Sequence, residues 1–206
     1  MCSLSIIHMH HSNVCDSSFS VMVIANNNIQ GRFPPAMGRL DRLKTLDFES
    51  NSINGKLPRQ LSALTDLVTF SAPGNAFSGT IPREFEDLRF LARLDLSNND
   101  LTGVLLGNFG RLRDLEYLYL GSNRLGGDLP TELGLLTNLV ELNLINNRFR
   151  GVVPNSFSSL INLRELRLET NELTSGLDTL FCDRDPPLNI FSADCTAACA
   201  CCTQCL

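Results

Sequence analysis

Leu139-Val-Glu-Leu-Asn-Leu-Ile-Asn-Asn147-Arg-Phe-Arg-Gly151-Val-Val-Pro154 is the stretch whose reading decides the fold. Its asparagine recurs every 24 residues, at Asn27, Asn51, Asn75, Asn99, Asn123, Asn147 and Asn171. Glycine follows four residues later at Gly31, Gly55, Gly79, Gly103, Gly127 and Gly151. Proline stands three further on at Pro34, Pro58, Pro82, Pro130 and Pro154. The apolar residues keep the same beat, as in Leu115, Leu118, Leu120, Leu125, Leu129, Leu133 and Leu136. No insertion or deletion breaks the register, so these are units of a repeat architecture and not scattered surface turns.

The chemistry of each position agrees with that reading. Leu118-Tyr119-Leu120 alternates with period two, which predicts a strand with its leucines facing inward. The chain must then turn inside a dry core, where backbone groups need partners. A short amide side chain carries donors and an acceptor together, so stacked asparagines can bond the backbone of successive turns. Glycine opens backbone angles closed to other residues, and proline holds its φ and donates nothing to a ladder.

The unit resembles the plant-type leucine-rich repeat, L-x-x-L-x-L-x-x-N-x-L-x-G-x-I-P, over roughly residues 19 to 181. The resemblance implies an α/β repeat solenoid: a right-handed superhelix with a parallel sheet on its concave face and short 3₁₀ or helical turns on its convex face. Three segments follow, a tail and partial cap at 1–18, a solenoid of about seven units at 19–181, and a cysteine-rich cap at 182–206. Leu106 occupies a proline slot, and Ser175 and Asp178 replace the last glycine and proline. Phe19, Met22 and Ile24 fill the leucine slots of the first unit. End units must differ, because a bare solenoid end exposes its core.

Asn13-Val14-Cys15 resembles the close of the family's N-terminal cap, without its tryptophan and with Cys2 as the nearest upstream cysteine. A truncated or mis-started N-terminus is therefore expected. The other end, with Cys182, Cys195, Cys199, Cys201, Cys202 and Cys205, is similar to cysteine-rich tails of diatom leucine-rich-repeat proteins. Such clustering suits disulfide staples in an oxidising compartment, with a zinc site at the C-x-x-C of Cys202 and Cys205 as the alternative. The expected location is extracellular or cell-surface, with cytoplasmic as the alternative. No export signal is visible, and none of the 19 asparagines sits in an Asn-x-Ser/Thr acceptor.

A net charge of −5 argues against nucleic acid, which calls for a concentrated basic surface. No apolar run approaches the length needed to span a bilayer. His8, His10 and His11 are the only histidines and lie outside the repeats, so no Ser-His-Asp arrangement falls within the solenoid. Glu165 and Glu169 read as solvated surface. Neither an enzyme nor a cofactor or metal is expected; the partner class is protein or peptide.

Binding is expected on the concave face, at the positions that alternate with the strand leucines. Tyr117 and Tyr119, the chain's two tyrosines, share one strand and project the same way. Arg93 and Asp95 should flank them on one side, Glu141 and Asn143 on the other, each about 4.8 Å away. Central aromatics among mixed charges have the composition of a binding hot spot; the plainer reading is that tyrosine suits an exposed strand. Resemblance to receptor-like ectodomains implies a recognition module, and polygalacturonase-inhibitor-like relatives imply a structural or inhibitory scaffold instead. Arg148 and Arg150 are expected on the loop beyond the strand.

Overall fold

The computed structural model describes residues 19–194 and the strand Gln204–Cys205. The three histidines, Cys15, Cys195, Cys199, Cys201 and Cys202 lie outside the described residues. Every unit opens with a three-residue strand: Val21–Val23, Thr45–Asp47, Thr69–Ser71, Arg93–Asp95, Tyr117–Tyr119, Glu141–Asn143 and Glu165–Arg167. These stack in parallel, each residue beside its equivalent 24 positions on, as in Arg93, Tyr117 and Glu141. The strands Ile190–Ala193 and Gln204–Cys205 continue the same sheet past the last repeat, making nine strands.

A second parallel sheet of seven strands runs along the other side, from Gln30–Arg32 to Glu172–Ser175. It was not anticipated from sequence. Phe149 is buried between exposed Arg148 and Arg150, so both arginines lie on the strand Arg148–Val152 and not on a loop. Each such strand after the first carries one inward apolar residue, a signal too short to separate from a turn. The repeat glycine lets the chain leave this sheet: Gly103 has φ +88, a conformation that strains any residue with a Cβ. In the seventh unit Ser175 does not take that role. The register slips after Gly151, Val152 pairs with Ser175, and Gly176 adopts φ +98.

The return path is a row of five-residue 3₁₀ turns, from Pro35–Arg39 to Asn155–Ser159. Prolines precede them with extended backbone, and Leu106 adopts the same geometry at φ −82 and ψ 147. Proline is therefore not required there, because the position needs only extended angles. The seven repeat-position leucines of the fifth unit, Leu115 to Leu136, are at most 4% exposed, and each such burial is worth roughly 1.5–3 kcal/mol. Phe19, by contrast, is 46% exposed and Met22 only partly buried.

The repeat asparagines lie between the two sheets. Asn99 Nδ2 donates to the carbonyls of Ala72 at 3.0 Å, Leu96 at 3.1 Å and Ser97 at 3.1 Å, while Oδ1 accepts from Phe77 N–H at 2.9 Å. Asn51, Asn75, Asn123, Asn147 and Asn171 repeat that pattern. Two amide hydrogens serve three carbonyls, so one is shared. Among the described residues Asn27 bonds only Ile24 and Ala25. The residue before each asparagine is left-handed: Asn26, Ser50, Gly74, Asn98, Ser122, Asn146 and Thr170 have φ of 51 to 65. Asn98 is exposed yet conformationally constrained, so its exposure alone does not make it replaceable.

The stack closes on a side chain. Asn146 and Asn147 N–H donate to the carbonyls of Glu169 and Thr170 in the following unit. Thr170 and Asn171 have no further repeat to bond. Their N–H groups donate instead to Asp194 Oδ1 at 2.7 Å and Oδ2 at 2.9 Å. One carboxylate stands in for two carbonyls, satisfying orphan donors as a helix cap does.

Candidate functional site

Strand register places Arg93 and Glu141 directly beside Tyr117, and Asp95 and Asn143 beside Tyr119. The backbone bonds hold these side chains within reach, and the side chains then choose diagonal partners, a distance long groups can cover. The Arg93 guanidinium lies 4.6 Å from the Tyr119 ring centre and 5.7 Å from that of Tyr117. The two rings face each other at 6.4 Å with planes 28° apart. Tyr119 Oη donates to Glu141 Oε2. Asp95 holds Arg93 from the other side at 3.5 Å and accepts from Ser97 N–H and Oγ–H.

Five of the six expected residues therefore form one connected cluster. Asn143 does not join it: its Oδ1 accepts from Ile145 N–H at 3.2 Å and shapes its own turn. Arg93 and Glu141, expected to flank the tyrosines, are engaged by them. A cation over an aromatic face contributes about 0.5–1 kcal/mol at an exposed site, enough to bias the rotamers and hold a rigid platform. Burial, reinforced by the hydrogen bond and charge of Glu141, pushes the Tyr119 hydroxyl well above the usual tyrosine range, against the opposing pull of Arg93. It remains a neutral donor at ordinary pH. Such a group positions a carboxylate and does not act as a base.

Further along the face Glu165 pairs with Arg167 at 3.3 Å, and Glu169 accepts from Ser192 Oγ–H. Neither is the plain solvated carboxylate expected from sequence. Asp194 and Ser192 were missed because their partners are backbone and side-chain groups of the preceding unit. The available signal was the spacing of Asp194, 24 residues after Thr170. No helix among the described residues is long and apolar enough to cross a membrane.

Family models described as leucine-rich repeats match residues 74–125 and, separately, 42–64 and 138–160. The chain is thus built of leucine-rich repeats, and its paired sheets and 3₁₀ turns are the solenoid fold of plant receptor ectodomains. It is similar to the Arabidopsis receptor kinase HAESA, solved with the peptide hormone IDA and the co-receptor SERK1 (TM-score 0.79, 30% identity, 84% of this chain and 28% of that one). The plant peptide hormone receptor RGFR1, solved with RGF2, gives a TM-score of 0.76 at 30% identity over 77% of this chain and 26% of that one. A plant ice-binding protein gives 0.76 at 30% identity, over 84% of this chain and 55% of its own. The chain thus spans about a quarter of either receptor chain and about half of the ice-binding protein. No curated protein matches it.

Proposed function

We propose that this chain is a non-catalytic recognition module that binds a protein or peptide on its concave face. The observation that carries the reading is the cluster of Arg93 against both rings of Tyr117 and Tyr119. It is a preorganised aromatic surface on a regular sheet, and a partner that meets rigid side chains loses less entropy on binding. The peptide hormones held by HAESA and RGFR1 support the class of ligand. Solvent-facing Tyr117, with Arg93, Asp95, Tyr119, Glu141 and Asn143 around it, would form the contact centre. The two receptor relatives also support a place outside the cell. We assign 19–181 to the solenoid and 182–206 to a stapled cap, in which Cys182, Cys195, Cys199, Cys201, Cys202 and Cys205 pair among themselves. One observation favours a second reading, a surface module outside signalling: the plant ice-binding protein has the same fold.

The test uses a partner recovered by affinity purification and measured again with purified protein. Tyr117→Ala with Tyr119→Ala should weaken binding by at least about 2 kcal/mol, the scale of a hot spot. Arg148→Ala with Arg150→Ala, on the second sheet, should leave it unchanged. Loss in the arginine pair without loss in the tyrosine pair would move the working surface to the second sheet and refute the reading.

A further inference from the structure

Beside the concave face, where the turns return to the strands, lies a hollow of about 560 Å³. Its floor is apolar: Val68 and Ala92 with Phe90, which is 59% exposed. Its rim is acidic, with Asp66, Asp114 and Glu116. None of these three carboxylates has an ion-pair partner among the described residues, whereas both concave arginines, Arg93 and Arg167, are paired. Lys44, at one end, is the single cation that lines the hollow.

Asp66, Phe90 and Asp114 belong to a row of turn positions that has a structural task from Asn138 onward, Asn138 itself being the last of the row to line the hollow. Asn138 Nδ2 donates to the carbonyl of Arg113 at 3.0 Å, and Asn162 Nδ2 to that of Thr137 at 2.8 Å. Each ties the turn that follows a 3₁₀ segment to the corresponding turn of the preceding unit, 25 residues earlier. Asp66, Phe90 and Asp114 are the equivalent residues of three consecutive units, and neither an ionised carboxylate nor a phenyl ring can donate that bond. A net gain of about 1 kcal/mol per hydrogen bond is forgone three times in a row. Local rules broken together without a structural gain are expected at functional surfaces.

We propose that this hollow docks a short extended segment of a partner polypeptide that places an apolar side chain on Val68, Phe90 and Ala92 and a lysine or arginine beside it. The floor supplies area removed from water, and the unpaired rim supplies charge complementarity and orientation. From Lys44 to Glu116 the groove crosses three inter-strand steps of about 4.8 Å, the reach of about four extended residues. A second copy of the chain fits less well, since it brings a net charge of −5 to an acidic rim. The site shares no residue with the tyrosine cluster and goes beyond it.

The experiment selects random heptapeptides displayed on phage against the whole chain and measures the winners as free peptides. Sequences pairing an apolar residue with adjacent lysine or arginine should be enriched. Their affinity should fall at least about tenfold in Asp114→Asn with Glu116→Gln, and likewise in Phe90→Ser, while Lys44→Glu should strengthen it. All these side chains are exposed, so unfolding midpoints should not move. Tyr117→Ala with Tyr119→Ala should leave the same peptides bound. No enrichment, or enrichment of acidic peptides, overturns the proposal. Peptides lost only in the tyrosine variant also overturn it, and leave the concave reading standing. A dimer in sedimentation that Phe90→Ser dissolves assigns the hollow to a second copy and overturns it as well.

Discussion

The asparagine ladder and the concave face are built on the same 24-residue beat, yet they carry different kinds of information. In the ladder every unit repeats one residue with one set of bonds, from Asn51 to Asn171. On the concave face the column through Tyr117 reads Thr45, Thr69, Arg93, Tyr117, Glu141 and Glu165. The ladder answers a constraint that is identical in every unit, the backbone of a turn in a dry core. The outward columns answer none, and so are free to vary toward whatever binds. Uniformity marks what holds the molecule together, and variation at fixed spacing marks where it meets others. The row of turn positions that precedes the concave strands shows both behaviours, with asparagine tying turns at Asn138 and Asn162 and that task abandoned at Asp66, Phe90 and Asp114.

The comparison breaks most visibly at Asn123. Replacing it with alanine strands the N–H of Leu101 and takes a donor from the carbonyls of Leu96, Leu120 and Gly121, which keep only Asn99, Asn147 and the Asn98 N–H respectively. Chemical denaturation should show a loss of about 2–3 kcal/mol, while exposed Arg148→Ala should stay within about 0.5 kcal/mol. Equal losses would remove the distinction between the two regions.

Asp194→Ala should follow, at about 1.5–3 kcal/mol, the range for hydrogen bonds to a charged acceptor. The loss should be local, because a solenoid's units contact only their neighbours. Hydrogen exchange should quicken at Thr170 and Asn171 and stay unchanged at Asn98 and Asn99. Uniform quickening along the chain would argue against a cap.

A smaller effect separates conformation from exposure. Thr170, β-branched, is held at φ 59 and Asn98 at φ 53. Thr170→Gly should stabilise or be neutral, and Asn98→Ala should cost about 1 kcal/mol despite its exposure, with Asn98→Gly near neutral. A neutral Asn98→Ala would mean that the turn relaxes to another geometry.

The smallest effect is spectroscopic. With Tyr117→Phe, the one remaining tyrosine reports Tyr119 alone in an ultraviolet alkaline titration. It should ionise above the ordinary tyrosine range, and Glu141→Gln should bring it down by removing a negative charge and leaving a weaker, neutral acceptor. A raised folded-state value means that the neutral hydroxyl is the favoured form, so its contribution is present below the unfolded value and lost as pH rises past it. A titration insensitive to Glu141→Gln would dissolve the cluster.

Spacing alone made the repeat, its leucine core and the positions of its asparagines legible, because a packed solenoid meets the same steric demand every 24 residues. It also brought Arg93, Asp95, Tyr117, Tyr119 and Glu141 to one patch, since neighbouring strands in register put equivalent residues side by side. It could not show which diagonal each side chain takes, because rotamers follow from competing partners that exist only once the strands are stacked. The second sheet escaped notice for a related reason: its strands hold little local pattern and form only when adjacent units lend them hydrogen bonds. Asp194 could be read as one more surface aspartate until the last turn was in place with two N–H groups and no further repeat to receive them. Periodicity in a chain records what every unit needs from its neighbour, and the ends and exposed columns, where no neighbour repeats that need, were decided by the fold.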